Sequence, residues 1–236
     1  MKASLVIAAY NERENIGPLT SRIIATLDAV KGLRWELIYV IEGMDDSRQI
    51  AQSFADARPE IRIIYHPAPS GLGNAFRQGF DAVSPDSDVI VTMDADLNHQ
   101  PEEMPRLIDA LLARNADIVI GSRKMQGSTV EGAPYWKTTL SNLVNDVMRK
   151  LIGMPVLDQT SGYRVYRYEA FRRIQFENRG FAFLPEILLQ AHALKLRMVE
   201  EPIAFIFRTA GESKMRLVPT AKSYLGMLAG RWRIRR

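Results

Sequence analysis

Short apolar runs recur through the first half of the chain, at Ser4–Ala9, Trp35–Ile41, Ile61–Tyr65, Val89–Met93 and Asp117–Gly121, with a helical stretch between each and the next. Strands alternating with helices in this way demand βαβ units and right-handed crossovers, hence a mostly parallel sheet flanked by helices. The pattern predicts helices from about Glu12 to Val30, from Ser47 to about Ala57, over Asn74–Val83 and over Pro101–Arg114. A breaker-rich loop, Pro67-Ala68-Pro69-Ser70-Gly71-Leu72-Gly73, precedes the third of these. The layout is Rossmann-like and of the nucleotide-binding kind, and 236 residues suit a single α/β domain with a modest appendage.

The fourth run breaks off at two aspartates one residue apart, Asp94-Ala95-Asp96, and a helix start, Gln100-Pro101-Glu102-Glu103, follows at once. This is a buried strand delivering carboxylates to its C-terminal edge, where open α/β sheets bind ligands. Two acids so close raise each other's pKa unless a cation lies between them. Mg²⁺ or Mn²⁺, hard ions shared with substrate phosphates, are expected there. Taken alone, an Asp-x-Asp at a strand end is more often turn chemistry than a site.

The second half reads differently. Met125–Pro134 is polar and Gly-rich, the composition of a mobile loop. A long helix is expected over Tyr135–Ile152, then a polar turn Asp158–Arg164, a strand Val165–Arg167, a helix over Leu184–Leu194 and a strand over Met198–Phe207. A charged loop, Arg208–Arg216, precedes a last helix over Pro219–Trp232.

Composition removes some chemistry. The chain has no cysteine, so disulfides and thiolate metal sites are excluded. His66, His99 and His192 show no ligand spacing, which argues against zinc. No apolar run is long enough to span a bilayer and Met1-Lys2-Ala3-Ser4 lacks signal-peptide character, so a cytoplasmic protein is expected. The net charge of +4 is concentrated after Arg208, where Lys214, Arg216, Lys222, Arg231, Arg233, Arg235 and Arg236 face the single acid Glu212. Such a block suits nucleotide phosphates or anionic lipid. It carries no recognised nucleic-acid reading motif, and no nucleic-acid partner is expected.

Five blocks in order, Ala8-Ala9-Tyr10-Asn11-Glu12, Asp94–Pro101, Gly121-Ser122-Arg123, Asp158–Arg164 and Arg208–Lys214, resemble the dolichol- and polyprenol-phosphate mannosyltransferases, family-2 inverting glycosyltransferases of GT-A fold. The likeness covers nearly the whole chain. It implies a GT-A domain over residues 1–218, with a nucleotide-sugar half (1–122) and an acceptor half (123–218), followed by an amphipathic basic helix or tail (219–236).

The resemblance also implies roles. Ala8, Tyr10 and Glu12 would line the donor's nucleotide pocket, Ala8 standing where relatives carry Pro. Ile41-Glu42-Gly43-Met44-Asp45-Asp46 occupies the block that relatives write Asp-Asp-Gly-Ser-x-Asp, with Glu42 as the remaining donor contact. Asp94, Ala95 and Asp96 would meet the donor diphosphate, and Asp94, Asp96 and Asn98, the last in place of the usual Gln, would hold Mg²⁺ or Mn²⁺. Arg208 and Lys214 would close over the same phosphates. Arg123, Lys137 and Ser141 would contact the acceptor phosphate, Lys137 and Ser141 lying one helical turn apart. Asp158–Arg164 and Glu186 would shape the pocket wall. Since a polyprenyl phosphate is already anionic, no general base is required and Asp158 is not assigned that task.

The last helix presents Ala221, Leu225, Leu228 and Trp232 as an apolar stripe beside arginines, suited to peripheral docking on the cytoplasmic face of a membrane or to a membrane-anchoring partner. The expected activity is metal-dependent transfer of a hexose, mannose from GDP-mannose, to a polyprenyl phosphate. The alternatives are a UDP-sugar donor, another lipid, glycan or protein acceptor, or a non-catalytic binding module on the same fold.

Overall fold

A computed structural model of the chain describes residues 1–132, 139, 142, 145, 146, 149, 150 and 153–207. Its seven-stranded sheet runs in the order β3-β2-β1-β4-β7-β5-β8, from β1 (Lys2–Tyr10), β2 (Arg34–Glu42), β3 (Ile61–His66), β4 (Val89–Thr92), β5 (Ile118–Ser122), β7 (Arg164–Arg167) and β8 (Met198–Pro202). Crossovers are made by α1 (Arg13–Asp28), α2 (Ser47–Ala57), α3 (Leu72–Asp81) and α4 (Met104–Ala113), the last entered through a 3₁₀ turn at Pro101–Glu103. All neighbours are parallel except β7, which runs antiparallel between β4 and β5. The predicted mostly parallel α/β sheet is therefore the observed one.

Alternation along the strands explains the layers. Leu5 and Ile7 of β1 with Leu37, Tyr39 and Ile41 of β2 share one buried cluster with Ile16, Leu19 and Ile23 of α1 and Leu107 and Leu111 of α4. Val6 and Ile38 point the other way, into a cluster with Phe76 of α3 and Phe183, Ile187 and Leu188 of the helix Phe183–Ala193. A sheet covered on both faces accounts for the near-continuous apolar runs. Ile41, at the first position of the block resembling Asp-Asp-Gly-Ser-x-Asp, lies in the first of these layers.

The chain builds outward from β1 to β3 and then returns to place β4 on β1's other side. That reversal is a topological switch point, and a crevice opens there at the C-terminal strand ends.

Two expectations need correction. Met125–Pro134 is not wholly loop: Thr129–Glu131 forms β6, paired in parallel with β9 (Ala204–Ile206) as a small second sheet. Three residues are too few to show a period, and the pairing partner lies far along the chain. The single strand expected over Met198–Phe207 is broken between β8 and β9. Pro202, opposite Ser122 at the end of the β5 ladder, has no N–H to extend it, and Ile203 N then donates to Ser122 O at 3.0 Å. In the expected helix over Tyr135–Ile152 the described residues, such as Asn142, Asn145 and Arg149, are helical. Lys137, Ser141, Arg208, Lys214 and the 219–236 segment lie outside the described residues.

Candidate active site

β1, β2 and β4 deliver the side chains of the crevice. At the end of β1, Ala8 is half-buried and Tyr10 is 38% exposed. Asn11 turns the chain with φ 51°, a left-handed conformation that Asn tolerates better than most residues. Its backbone N donates to Glu42 O at 3.2 Å and its Oδ1 accepts Met44 N at 3.2 Å, tying the β1 and β2 ends together. Gly43, at φ 105°, makes this possible, since a Cβ there would lie 2.0 Å from Asn11 Oδ1. Glu12 N donates to Ser47 Oγ at 2.8 Å, and the Glu12 carboxylate accepts from Asn15.

Glu42 is 4% exposed, and its Oε1 accepts both the backbone N of Ser70, at 2.9 Å, and the Ser70 hydroxyl. It is thus seen fastening the Pro67–Gly71 loop, which leads into α3, to the end of β2. Expected as a donor contact, it holds an intramolecular partner in this structure.

The aspartates follow β4. Asp94 packs over Gly162, where a Cβ would come within 2.7 Å of Asp94 Oδ1, and Thr92 Oγ1 donates to Gly162 O at 2.8 Å. The Asp158–Arg164 turn therefore closes directly against the acidic pair. Asp96 Oδ1 accepts Asn98 N at 3.1 Å and its Oδ2 accepts Asn98 Nδ2 at 2.6 Å, around Leu97 at φ 62°. Asn98, expected as a metal ligand, braces Asp96 through its amide nitrogen here.

Burial raises the pKa of Asp94, Arg123 and Arg164 oppose that, and Glu12 adds to it. Burial and the Asp94 charge push Asp96 up to about 6, with His99 opposing. Burial disfavours the ionised form of both carboxylates, and the donors are oxygens alone, so a hard divalent cation fits the pair. Among the described residues no group of three or more His, Cys, Asp or Glu is arranged to hold a metal ion.

His99 is the residue that sequence reasoning passed over. Its ring is 0% exposed, between Tyr163 and Phe205 at centroid distances of 5.2 and 5.1 Å. Nδ1 accepts Asp94 N at 3.4 Å, and buried Nε2 has no hydrogen-bond partner among the described residues. Burial lowers its pKa to about 4, with Asp96 opposing. A depressed imidazole stabilises the fold above its unfolded value of 6.5, and that contribution is lost as pH falls through about 4. The size is roughly 3 kcal/mol at most. Asp96, whose pKa is raised, works in the opposite sense between about 4 and 6. His99→Phe keeps a ring between Tyr163 and Phe205 and isolates the His99 part. Urea unfolding at pH 7.5, 5.5 and 4.5 is expected to show the variant losing about 2 kcal/mol less than wild type on acidification. Identical acid losses would exclude His99 as their source.

On the far side of the turn, Asp158 is fully buried and grips Arg123. Its Oδ2 accepts Arg123 N at 3.0 Å and Nε at 2.7 Å, and its Oδ1 accepts Nη2 at 2.8 Å. Arg123 Nη2 also reaches Thr160 Oγ1 at 2.8 Å. Burial disfavours an ionised Asp158, but the guanidinium beside it overrides this and holds the carboxyl well below the usual range. Arg123, expected to face an acceptor phosphate, is thus fixed at the end of β5 by this fork. Arg164, also fully buried, clamps the turn by donating to Ser161 O, Gln159 O and Leu184 O at 2.7–2.8 Å. Glu186, expected as a further polar wall, accepts Glu177 N and Asn178 N, both at 2.9 Å, and so fastens their loop to its helix. A separate cavity of about 420 Å³, lined by Lys124, Asn142, Asn145, Asp146, Arg149 and Leu157, shares no residue with the acidic pair.

This mostly parallel sheet is the architecture of a GT-A glycosyltransferase domain, and solved structures share the fold. Glucosyl-3-phosphoglycerate synthase from Mycobacterium tuberculosis, in complex with Mn²⁺, UDP and glucosyl-3-phosphoglycerate, is similar with a TM-score of 0.71 at 21% identity, over 97% of this chain and 77% of that one. The same synthase with Mg²⁺ and UDP gives a TM-score of 0.70 at 21% identity, over 97% and 77%.

Residues 4–175 match the family model for glycosyl transferase family 2, and the chain belongs to that family. It is 36% identical to dolichol-phosphate mannosyltransferase of Pyrococcus furiosus over 92% of this chain and 60% of that protein. The polyprenol monophosphomannose synthase of Mycolicibacterium smegmatis is 35% identical, over 89% of this chain and 80% of that protein. The undecaprenyl-phosphate mannosyltransferase of Micrococcus luteus is 34% identical, over 91% and 88%. This chain therefore spans less than two thirds of the Pyrococcus protein. No helix among the described residues is long and apolar enough to cross a membrane.

Proposed function

We propose that this glycosyltransferase moves a mannosyl residue from GDP-mannose to a polyprenyl phosphate, inverting the anomeric carbon from α to β. The observation that carries the reading is the Asp94–Asp96 pair, two carboxylates whose pKa values burial raises at the switch-point edge, in a chain whose curated relatives are named for mannosyl transfer to lipid phosphates.

In this reading Ala8, Tyr10, Glu12 and Glu42 form the nucleotide side of the donor pocket, and Ala95 sits beside the diphosphate. Asp94 and Asp96 hold Mg²⁺ or Mn²⁺, assisted by Asn98. The ion, when bound, neutralises charge on the departing nucleoside diphosphate. Arg208 and Lys214 close over the same phosphates and add positive charge. Arg123, Lys137 and Ser141 orient the acceptor phosphate. One of its oxygens forms the new bond to the anomeric carbon as the bond to the diphosphate breaks, and the electron pair leaves with the nucleotide. The attacking oxygen is already ionised, so no residue takes a proton. Asp158, committed to Arg123, fits that absence of a base. The boundary near residue 218 sets off the 219–236 segment as the element that docks on the cytoplasmic face of a membrane.

The test supplies the protein with Mg²⁺ or Mn²⁺, polyprenyl phosphate and sugar-labelled GDP-mannose or UDP-sugars, followed by organic extraction. Label in the lipid phase from GDP-mannose is the expected result. Label only from a UDP-sugar would replace the donor, and no lipid-phase label from any donor would remove the acceptor.

A further inference from the structure

Both carboxylate oxygens of Asp96 accept from Asn98, Oδ1 from its backbone N at 3.1 Å and Oδ2 from its Nδ2 at 2.6 Å. Between the two residues Leu97 sits at φ 62°, a left-handed backbone that persists at a residue with a side chain only where the surroundings over-determine it. The orientation of Asp96 therefore depends on how firmly Asn98 is itself held. Its carbonyl oxygen accepts Ile206 N of β9 at 3.0 Å and Gln100 Nε2 at 3.2 Å.

Gln100, half-buried, is where this acidic turn is joined to the rest of the fold. Its Oε1 accepts Nη2 of Arg22, from α1, at 2.7 Å, and its carbonyl oxygen accepts Tyr163 Oη, from the Asp158–Arg164 turn, at 3.1 Å. Arg22 is fixed in turn by Glu102, its Nε donating to Oε1 at 2.8 Å and its Nη2 to Oε2 at 2.5 Å. The partners at the tip of the Gln100 side chain are of opposite kind. A guanidinium only donates and a carbonyl oxygen only accepts, so the group between them has to accept on one side and donate on the other. A primary amide does this. A carboxylate satisfies Arg22 but sets an oxygen against Asn98 O, and a thioether in the same place donates to neither.

We propose that Gln100, held by Arg22, is a positioning residue for the divalent-cation site: it fixes the Asn98 carbonyl and, through Asn98, the Asp96 carboxylate. The inference rests on the reading of Asp94 and Asp96 as the metal-holding pair and extends that site outward to α1.

The test is titration of the metal-free full chain with Mn²⁺, followed by the paramagnetic resonance of the free ion, beside thermal melting in chelator. Gln100→Met removes both side-chain bonds at nearly constant length. Gln100→Glu keeps the contact to Arg22 and breaks the one to Asn98. Both are expected to weaken Mn²⁺ binding by about 10-fold, the low end for outer-shell partners of metal ligands, and Arg22→Met, one bond further out, by about 3-fold. The added charge of Gln100→Glu would by itself favour a cation, so weaker binding there reads the lost Asn98 contact. The control is Asp28→Asn at the other end of α1, where Asp28 accepts Arg58 and Trp35. It is expected to lower the melting temperature and leave Mn²⁺ affinity unchanged, a separation that a merely structural role for Gln100 would not give. Wild-type affinity in both Gln100 variants, or the same weakening in Asp28→Asn, overturns the proposal, and Gln100→Glu decides it alone should Gln100→Met fail to fold. Wild-type affinity in Arg22→Met overturns the part given to Arg22. A wild type that takes up no Mn²⁺ overturns the metal reading of the aspartates and this inference together.

Discussion

Asp96→Asn is expected to lower the initial rate of sugar transfer by about 10³-fold while making the metal-free protein more stable above pH 6. Opposite signs on activity and stability mark a carboxylate kept for function. Burial and the Asp94 charge push the Asp96 pKa up to about 6, so folding favours its protonated form. That contribution is complete below the ordinary carboxyl value of 3.8 and is lost as pH rises through about 6. Above pH 6 the folded protein carries the full cost of the ionised group, roughly 3 kcal/mol, and asparagine removes it. A melting temperature higher by about 5 °C in chelator at pH 7.5 is expected, with no difference near pH 4. Wild type in Mg²⁺ is expected to recover this difference, since an ion that binds only the folded form stabilises it. Asp96→Asn should show little response to Mg²⁺. A variant that keeps both its transfer rate and its Mg²⁺-dependent rise would place the metal elsewhere.

The strands β1 to β5 and their helices were legible because each element's signal is local: an apolar run, a breaker and an amphipathic stretch. Val165–Arg167 was legible as a strand, but its antiparallel insertion between β4 and β5 depends on partners tens of residues away. β6 was invisible for the same reason, and the break at Ile203 had only Pro202 as a hint. Asp94 and Asp96 stood out because strand-end carboxylates are a chemical signal in themselves. Their neighbours were less readable, since residue type does not say which hydrogen bonds are made at home: Asn98 spends its amide nitrogen on Asp96, and Glu42 an oxygen on Ser70. Ile41 is the instructive case. It stands where the resembling block has an acid, yet Leu37, Tyr39 and Ile41 alternate onto one buried face, so period two alone assigns it to packing. His99 gave no signal, because Phe205 and Tyr163 reach its ring only in the folded sheet.

The Asp158–Arg123 pair carries the largest expected effect on stability. Asp158 has no exposed surface, and the Arg123 side chain is 20% exposed. Asp158→Asn preserves shape but removes the charge that accepts three Arg123 donors in a mostly buried setting. Breaking such a pair from one side costs about 3–5 kcal/mol, so the melting temperature is expected to fall by about 10 °C for a chain of this size. Because the carboxyl lies well below the usual range, the pair's contribution, present above the unfolded pKa, survives mild acid. Asp158 therefore adds little to the pH dependence in the window where His99 titrates. Combining Arg123→Met with Asp158→Leu removes both charges, and stability is expected to recover in part, giving a measurable coupling in the double-mutant cycle. Transfer is not expected to recover in the double variant if Arg123 orients the acceptor phosphate. An Asp158→Asn protein that melts within about 2 °C of wild type but has lost transfer would reverse the assignment, making Asp158 a participant in the chemistry and Arg123 its accessory.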